Sequence, residues 1–378
     1  MKILLVGEYN ASHFTLKEGL THLGHEVTVV GFGDGFKNRK VDVKFKRPYD
    51  HGVRQFVRRV LYKLFKIDLN SSSIKKQFYS QQQLFQGNDI VQLINENAFG
   101  TLPNIEQELL QFIFQHNKNV FLLSCGTDHL SVKYAMDEKF RYSIATPYLE
   151  KRGTEADFLH MTQYIRPAYE ALHNFIAKNV KGIIASDLDY HIPLEGHPKY
   201  LGMVPNPVNL NPFNYIAPEI TDKVVIFHGI NNSNYYKKGN DIFEAALALV
   251  SKTHSDKIEI TTVRSVPYAE YIQLFDGCHI LLDQVFAYDQ GFNALEAMAK
   301  GKVVFTGAEQ EFLDYYNLEE DEVAINALPD AQAIANKLIW LIDNPDKIVA
   351  IAKNARSFIE KEHNHILASQ RYFEKWTK

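Results

Sequence analysis

A carboxylate, a cation and a row of backbone amides carry the chemistry this sequence offers. Residues 280–304 read ILLDQVFAYDQGFNALEAMAKGKVV. A short apolar run meets a polar break at Asp283 and Gln284. A loop holding Gly291 follows, then a helical segment from about Asn293 to Lys300, then Gly301 and a second apolar run. The pattern predicts strand, loop, helix, turn, strand, with Gly301 as the left-handed stop. Asn293 is the expected N-cap, so the amides of Gly291, Phe292, Asn293, Ala294 and Leu295 point out of the helix start. Free N–H groups and the helix dipole both favour an anion there. Glu296 stands in the first turn, within reach of the same ligand's hydroxyls. An anion cradle beside such a carboxylate suits a nucleotide-sugar diphosphate.

The cation comes from upstream. Residues 223–230, KVVIFHGI, form a strand ending in a glycine loop at Gly229. NNSNYYKKGNDIFEAALALV follows, with Ile242, Phe243, Ala246 and Leu247 on one helical face. Lys238 thus stands near loop amides and a helix start, where a flexible ammonium offsets leaving-group charge without a metal. The plain alternative is a solvated KKG turn.

The elements that position these groups repeat a strand–helix alternation, which predicts an α/β protein. Lys2 begins a buried-type strand, and the loop after it carries Glu8 and Ser12 at the strand's carboxyl end, where open α/β sheets bind ligands. GFGDGF at 31–36 is either a weak dinucleotide signal or a plain turn, since no helix pattern follows. Strands are expected at 89–94, 120–124 and 182–186. CGTDHL at 125–130 would present Asp128 and His129 to the cleft, unless that pair simply makes a turn or cap. Residues 137–153 show no period and are expected to be a mobile acceptor loop. A long helix is predicted over 154–178, kinked at Pro167. Four prolines between Pro205 and Pro218 suit a semi-rigid linker.

With 378 residues the chain is long enough for two domains. Two cysteines, Cys125 and Cys278, exclude a disulfide framework and fit a reducing compartment. The apolar run of MKILLVGEYN is too short for a signal peptide, so the chain reads as cytoplasmic. Residues 36–67 hold eleven Lys or Arg against two Asp in a chain of net charge −4. A block so local is not a nucleic-acid signature. Within it, RQFVRRVLYKLFKI (54–67) is a basic amphipathic helix. It suits either an anionic membrane surface or inward packing against its own domain. Zinc, Walker and nucleophile-elbow motifs are missing from the sequence. DLD at 187–189 is expected to lie away from the Lys238 and Glu296 segments, so no metal site is predicted.

ALEAMAKGKVV resembles the donor-site segment of glycosyltransferase family 4, whose members are retaining, metal-independent and of the two-domain GT-B fold. In that family two glutamates are separated by seven intervening residues; Glu296 matches the second, which binds the donor ribose. The first falls on Tyr288, with Asp289 one position away, and Asp283-Gln284 resembles a DQ variant of some members. Lys238-Gly239 matches the family's KG pair, whose lysine binds the donor diphosphate. The family's arginine is replaced near Asn231, leaving Lys237 or Arg264 to substitute, and residues 264–268 fall where members hold the base. CGTDHL is similar to an HGTD-like loop, and YLGMVPNPVN to IPNPVD at the domain crossing.

The resemblance implies an acceptor-binding domain at 1–205 and a donor-binding domain at 206–362, with 206–222 as linker. A helix at 363–378 returns to the first domain. It implies transfer from a UDP- or GDP-sugar to a saccharide or lipid-linked saccharide in cell-surface polysaccharide synthesis, with no other cofactor. An epimerase-like enzyme on nucleotide sugars and a non-catalytic binding module are the alternatives.

Overall fold

Apolar runs of four to seven residues, buried on both faces, can satisfy their backbone only as strands of a covered parallel sheet. The computed structural model, which describes residues 1–33 and 40–378, has twelve strands in two sheets, most of them such runs. Of GFGDGF, Gly31 ends a strand and Gly33 is left-handed (φ 74°), whereas Asp34, Gly35 and Phe36 lie outside the described residues. The first sheet contains β1 (Lys2–Val6), β2 (Glu26–Gly31), β3 (Val43–Lys44), β4 (Ile90–Leu93), β5 (Val120–Ser124), β6 (Gly182–Ala185) and β7 (Tyr200–Met203). The second contains β8 (Val224–Ile230), β9 (Ile258–Arg264), β10 (Ile280–Leu282), β11 (Val303–Thr306) and β12 (Ile325–Asn326).

The strand orders are β3-β2-β1-β4-β5-β6-β7 and β12-β11-β10-β8-β9, parallel throughout. Each order reverses once, between β1 and β4 in the first sheet and between β8 and β10 in the second. Loops leaving the carboxyl ends of neighbouring strands diverge at such a point, and a crevice opens between them. The two crevices form opposite walls of one cleft, as the shared lining described below shows.

The chain passes between the domains twice. It leaves the first after β7 and returns near residue 363, where a wide turn of π-helix (Ile359–His363) precedes the last helix (His365–Thr377). The crossings are bonded together: Val208 N–H donates to the His363 carbonyl at 2.7 Å, and His365 N–H to the Val208 carbonyl at 3.1 Å. The last helix lies against helix Ser12–His22 at Gly19. A Cβ there would stand 2.4 Å from the His365 carbonyl, so only glycine permits this approach. Tyr372 and Trp376 are buried, and the Trp376 indole donates to Gln92 at 3.1 Å.

Two expectations about this half are corrected. Pro167 does not kink a long helix; it opens a new one, Pro167–Asn179, after helix Glu155–Thr162 and a 3-10 turn. A proline's missing N–H does no harm in a first turn. Residues 137–153 are held to the second domain rather than left as a free loop. The Arg141 guanidinium bonds Glu309 at 2.6 Å and Glu311 at 2.7 Å, the Tyr142 hydroxyl donates to Glu309, and Arg152 pairs with Asp241.

Candidate active site

The loop after β8 and the helix after β10 converge on a cavity of about 570 Å³ lined by both domains. On the donor-side wall, Gly239 takes a left-handed conformation (φ 70°) and turns the chain from Lys238 into helix Asn240–His254. A side chain at Gly239 would strike Val285 at 2.6 Å, so this turn is fixed by packing as well. Beneath it, buried His228 on β8 bonds the Asn240 side chain at 2.9 Å, and Asn240 donates to the Tyr235 carbonyl. The Val285 amide donates to the Lys238 carbonyl at 3.0 Å, fastening the two loops together.

The side chains complete a relay. Lys238 Nζ donates to Asp283 Oδ1 at 2.8 Å, Asn293 Nδ2 donates to the same oxygen at 3.1 Å, and the Tyr271 hydroxyl donates to Asn293 Oδ1 at 2.9 Å. The second oxygen of Asp283 is buried without a partner. The helix runs Phe292–Ala299 with Gly291 as its N-cap. Asn293 therefore does not cap it, as expected from sequence, but lies inside the first turn with its side chain committed to Asp283. The first intrahelical donor is the Leu295 amide, which bonds the Gly291 carbonyl at 3.0 Å, so the amides of 292–294 come before it at the helix start, an arrangement that favours an anion.

Lys237 also lines the cavity. Burial, reinforced by the neighbouring Lys238 charge, pulls its ammonium down to about 8, against the opposing pull of Asp189. Gly229, Asn231, Asp289, Gly291 and Phe292 line the wall too; the Asn231 side chain accepts from Ser233 N–H at 3.0 Å. Three other expected donor contacts stand elsewhere. Arg264 is exposed, paired with Glu244 and stacked over Tyr235 at 5.5 Å. Ala294 is in the core. Tyr288 is buried at the domain junction, where its hydroxyl accepts from Arg141 N–H at 2.9 Å under the Arg141 guanidinium. Glu296 lines an adjoining hollow of about 30 Å³ with Phe14, Glu18 and Pro207; Phe292 borders both spaces.

On the first domain's wall stand Tyr9, Asn10, Ser12, Cys125 and Gly126. Asn10 and Ala11 both have positive φ (51° and 69°), a strained pair at the end of β1 that carries Ser12 into the cleft. Glu8 turns away and accepts from Phe14 N–H at 2.6 Å, bracing the following helix. The expectation that Asp128 and His129 face an acceptor is also corrected. Asp128 caps helix His129–Met136 through Ser131 N–H at 2.8 Å and bonds Ser124. Buried His129 sets Nδ1 against the Tyr164 carbonyl at 2.9 Å. Both are buried polar groups that find their partners inside the domain.

The largest departure from sequence reasoning is the DLD segment, which borders the same cavity instead of lying away from it. Asp187 and Asp189 face Asp289 across the junction: the Tyr288 amide donates to the Asp189 carboxylate at 3.2 Å, and the Leu188 amide donates to Asp289 at 3.3 Å. Burial, compounded by mutual repulsion, raises Asp187 and Asp189, and burial lifts Asp289 to about 6. Among the described residues no group of three His, Cys, Asp or Glu is arranged to hold a metal.

Residues 237–371 match the family described as glycosyl transferase-like. No curated protein sequence matches the chain. Among solved structures, sucrose-phosphate synthase from Thermosynechococcus elongatus is 15% identical with a TM-score of 0.63, over 100% of this chain and 98% of that one. HepE from Anabaena in complex with UDP-glucose is 14% identical with a TM-score of 0.60, over 100% and 99%. A variant of S. aureus TarM solved with UDP is 11% identical with a TM-score of 0.53, over 82% and 59%. At such identities the likeness establishes architecture. The chain has the GT-B fold, two doubly wound Rossmann-like domains facing across a cleft.

Proposed function

We propose that the protein is a glycosyltransferase that moves a sugar from a nucleoside diphosphate sugar to a saccharide or lipid-linked saccharide, with retention and without a metal ion. The observation that carries this reading is the convergence of Lys237, Lys238 and the helix start at 291–293 on one interdomain cavity at the second sheet's reversal point. The family match across 237–371 and the UDP- and UDP-glucose-bound structures of the same fold support it.

In this reading the pyrophosphate lies over the helix start, and Lys238 leaves Asp283 to meet it. Charge that builds on the departing diphosphate is then met by an ammonium and aligned amides already in place, so little reorganisation is needed at the transition state. Glu296 reaches the ribose from the adjoining hollow. The sugar projects towards the wall of Tyr9, Ser12 and Gly126, where the acceptor enters.

Titration calorimetry with UDP, GDP and their sugars, on wild type and Lys238→Ala, tests this. Binding with turnover on an added acceptor is expected, with the substitution costing more in rate than in affinity. Binding without turnover on any acceptor would reduce the protein to a recognition module, and absence of nucleotide binding defeats both readings.

A further inference from the structure

Among the described residues, the basic helix is an α-helix whose apolar face the fold leaves uncovered. Helix Gly52–Phe65 is about 21 Å long, and none of its residues is buried. Val53, Phe56, Val57, Val60 and Leu64 follow a 3.6-residue period and form a single outward stripe. Val53, Phe56 and Leu64 are 80%, 69% and 66% exposed, and Phe65 and Ile67 extend the apolar surface beyond the end of the stripe. The helix is anchored from its opposite side: Arg58 pairs with Asp50 and with Asp68 at 2.7 Å, and Leu61 is half-buried. Inward packing, one of the two placements the sequence allowed, is therefore not what the fold does. Arg54, Arg59, Lys63 and Lys66 flank the exposed stripe.

The helix also stands on the acceptor side of the cleft. Tyr62 lies near Tyr169. The Tyr169 ring packs 5.1 Å from Tyr164, whose hydroxyl donates to Asn95 at 3.4 Å, and Asn95 donates to the carbonyl of Cys125 in the cavity wall.

We propose that this helix is a docking surface for an anionic lipid bilayer, lying in the plane of the headgroups with its apolar stripe among the acyl chains. Charge decides the occupant. A second copy of the chain, docked symmetrically on the same face, would bring Arg59, Lys63 and Lys66 against themselves, and like charges at close range oppose such a contact. An anionic surface meets the cations and the apolar stripe at once, each cation adding about fivefold in partitioning, and five bulky apolar residues supply the non-polar part. The proposal adds to the transfer reading a location for the acceptor: a lipid-linked molecule would enter the cleft from the surface to which the helix holds the domain.

Sedimentation with vesicles tests this on the full chain. The protein should pellet with phosphatidylcholine–phosphatidylglycerol vesicles, far less with phosphatidylcholine alone, and release as salt rises. The triple variant Arg59→Gln, Lys63→Gln, Lys66→Gln should lose on the order of a hundredfold in partitioning. Phe56→Ser with Leu64→Ser should lose binding to the same vesicles at low salt as well. All five positions are exposed, and unchanged circular dichroism and UDP titration would verify the fold and the donor site separately. Failure to pellet with anionic vesicles, binding that survives both sets of changes, or a dimer dissociated by the serine variants would each overturn the proposal. None of these outcomes bears on nucleotide binding, so the transfer reading stands or falls on its own test.

Discussion

Asp283 holds the Lys238 ammonium 2.8 Å away from a position 45 residues further along the chain, with its own side chain 1% exposed. In the unliganded protein the carboxylate occupies the cation that a diphosphate would need. Removing the ammonium by Lys238→Ala leaves a buried carboxylate short of a charged donor, costing about 2 kcal/mol of stability. Transfer should fall on the order of a hundredfold or more, as for loss of one transition-state charge donor. Melting curves and steady-state kinetics measure the two effects independently.

Asp283→Asn separates competition from positioning. With the negative charge gone, Lys238 is free of its counter-ion, and UDP should bind up to about tenfold tighter. An unchanged or weaker Kd by calorimetry would show that the carboxylate mainly aims the ammonium.

Lys237, with its ammonium drawn down to about 8, links donor binding to pH. The group is charged below that value and neutral above it, so affinity for a diphosphate should decline as pH rises through 8. Lys237→Arg keeps its charge throughout this range and should flatten the profile. A wild-type Kd for UDP that does not change between pH 7 and 9 would exclude Lys237 from the phosphate site.

The acids at the junction predict that stability, too, declines as pH rises. Asp289 rises to about 6, and Asp187 and Asp189 rise with it, whereas unfolded aspartates titrate near about 3.9. Between these values the native state holds more protons than the unfolded state, so stability falls as pH climbs from about 4 through 6 and beyond. Asp189→Asn should therefore raise the melting temperature at pH 8 and change it little at pH 3, below the unfolded value, as scanning calorimetry would reveal.

Arg141 ties the two domains at Glu309 and Glu311, half-exposed at the rim of the cleft. Arg141→Ala should cost only about 1 kcal/mol of global stability, yet it removes one of the charged links between the domains, Arg152 with Asp241 being another. A larger radius of gyration by small-angle scattering, with a raised donor KM, is the expected result. An unchanged radius would mean that Tyr142 and Arg152 suffice to hold the domains together.

Much of the layered architecture was legible because buried parallel strands must be apolar along their whole length, and the runs at 120–124 and 280–282 could be little else. The Lys238 turn and the 292–299 helix start were legible for a similar reason: a glycine, a cation and a helix pattern are local. Asp187 and Asp189 were not, since the segment they face lies a hundred residues away and nothing near them in sequence announces the junction. Asp128 and His129 misled because a polar pair after a strand looks the same whether it faces a ligand or caps the next helix. Helix 52–65 showed its stripe plainly, but periodicity does not say which way an apolar face points. Pro167 was read as a kink because the sequence on both sides is helical, whereas a proline serves equally well to begin a helix.

The bridge at Val208 and Asn364 brings the two covalent links between the halves side by side. A rotation of one half against the other about that bridge would lengthen neither link, and it would break junction contacts such as Arg141 with Glu309 and Leu188 with Asp289 while leaving the hydrogen bonds within both sheets intact.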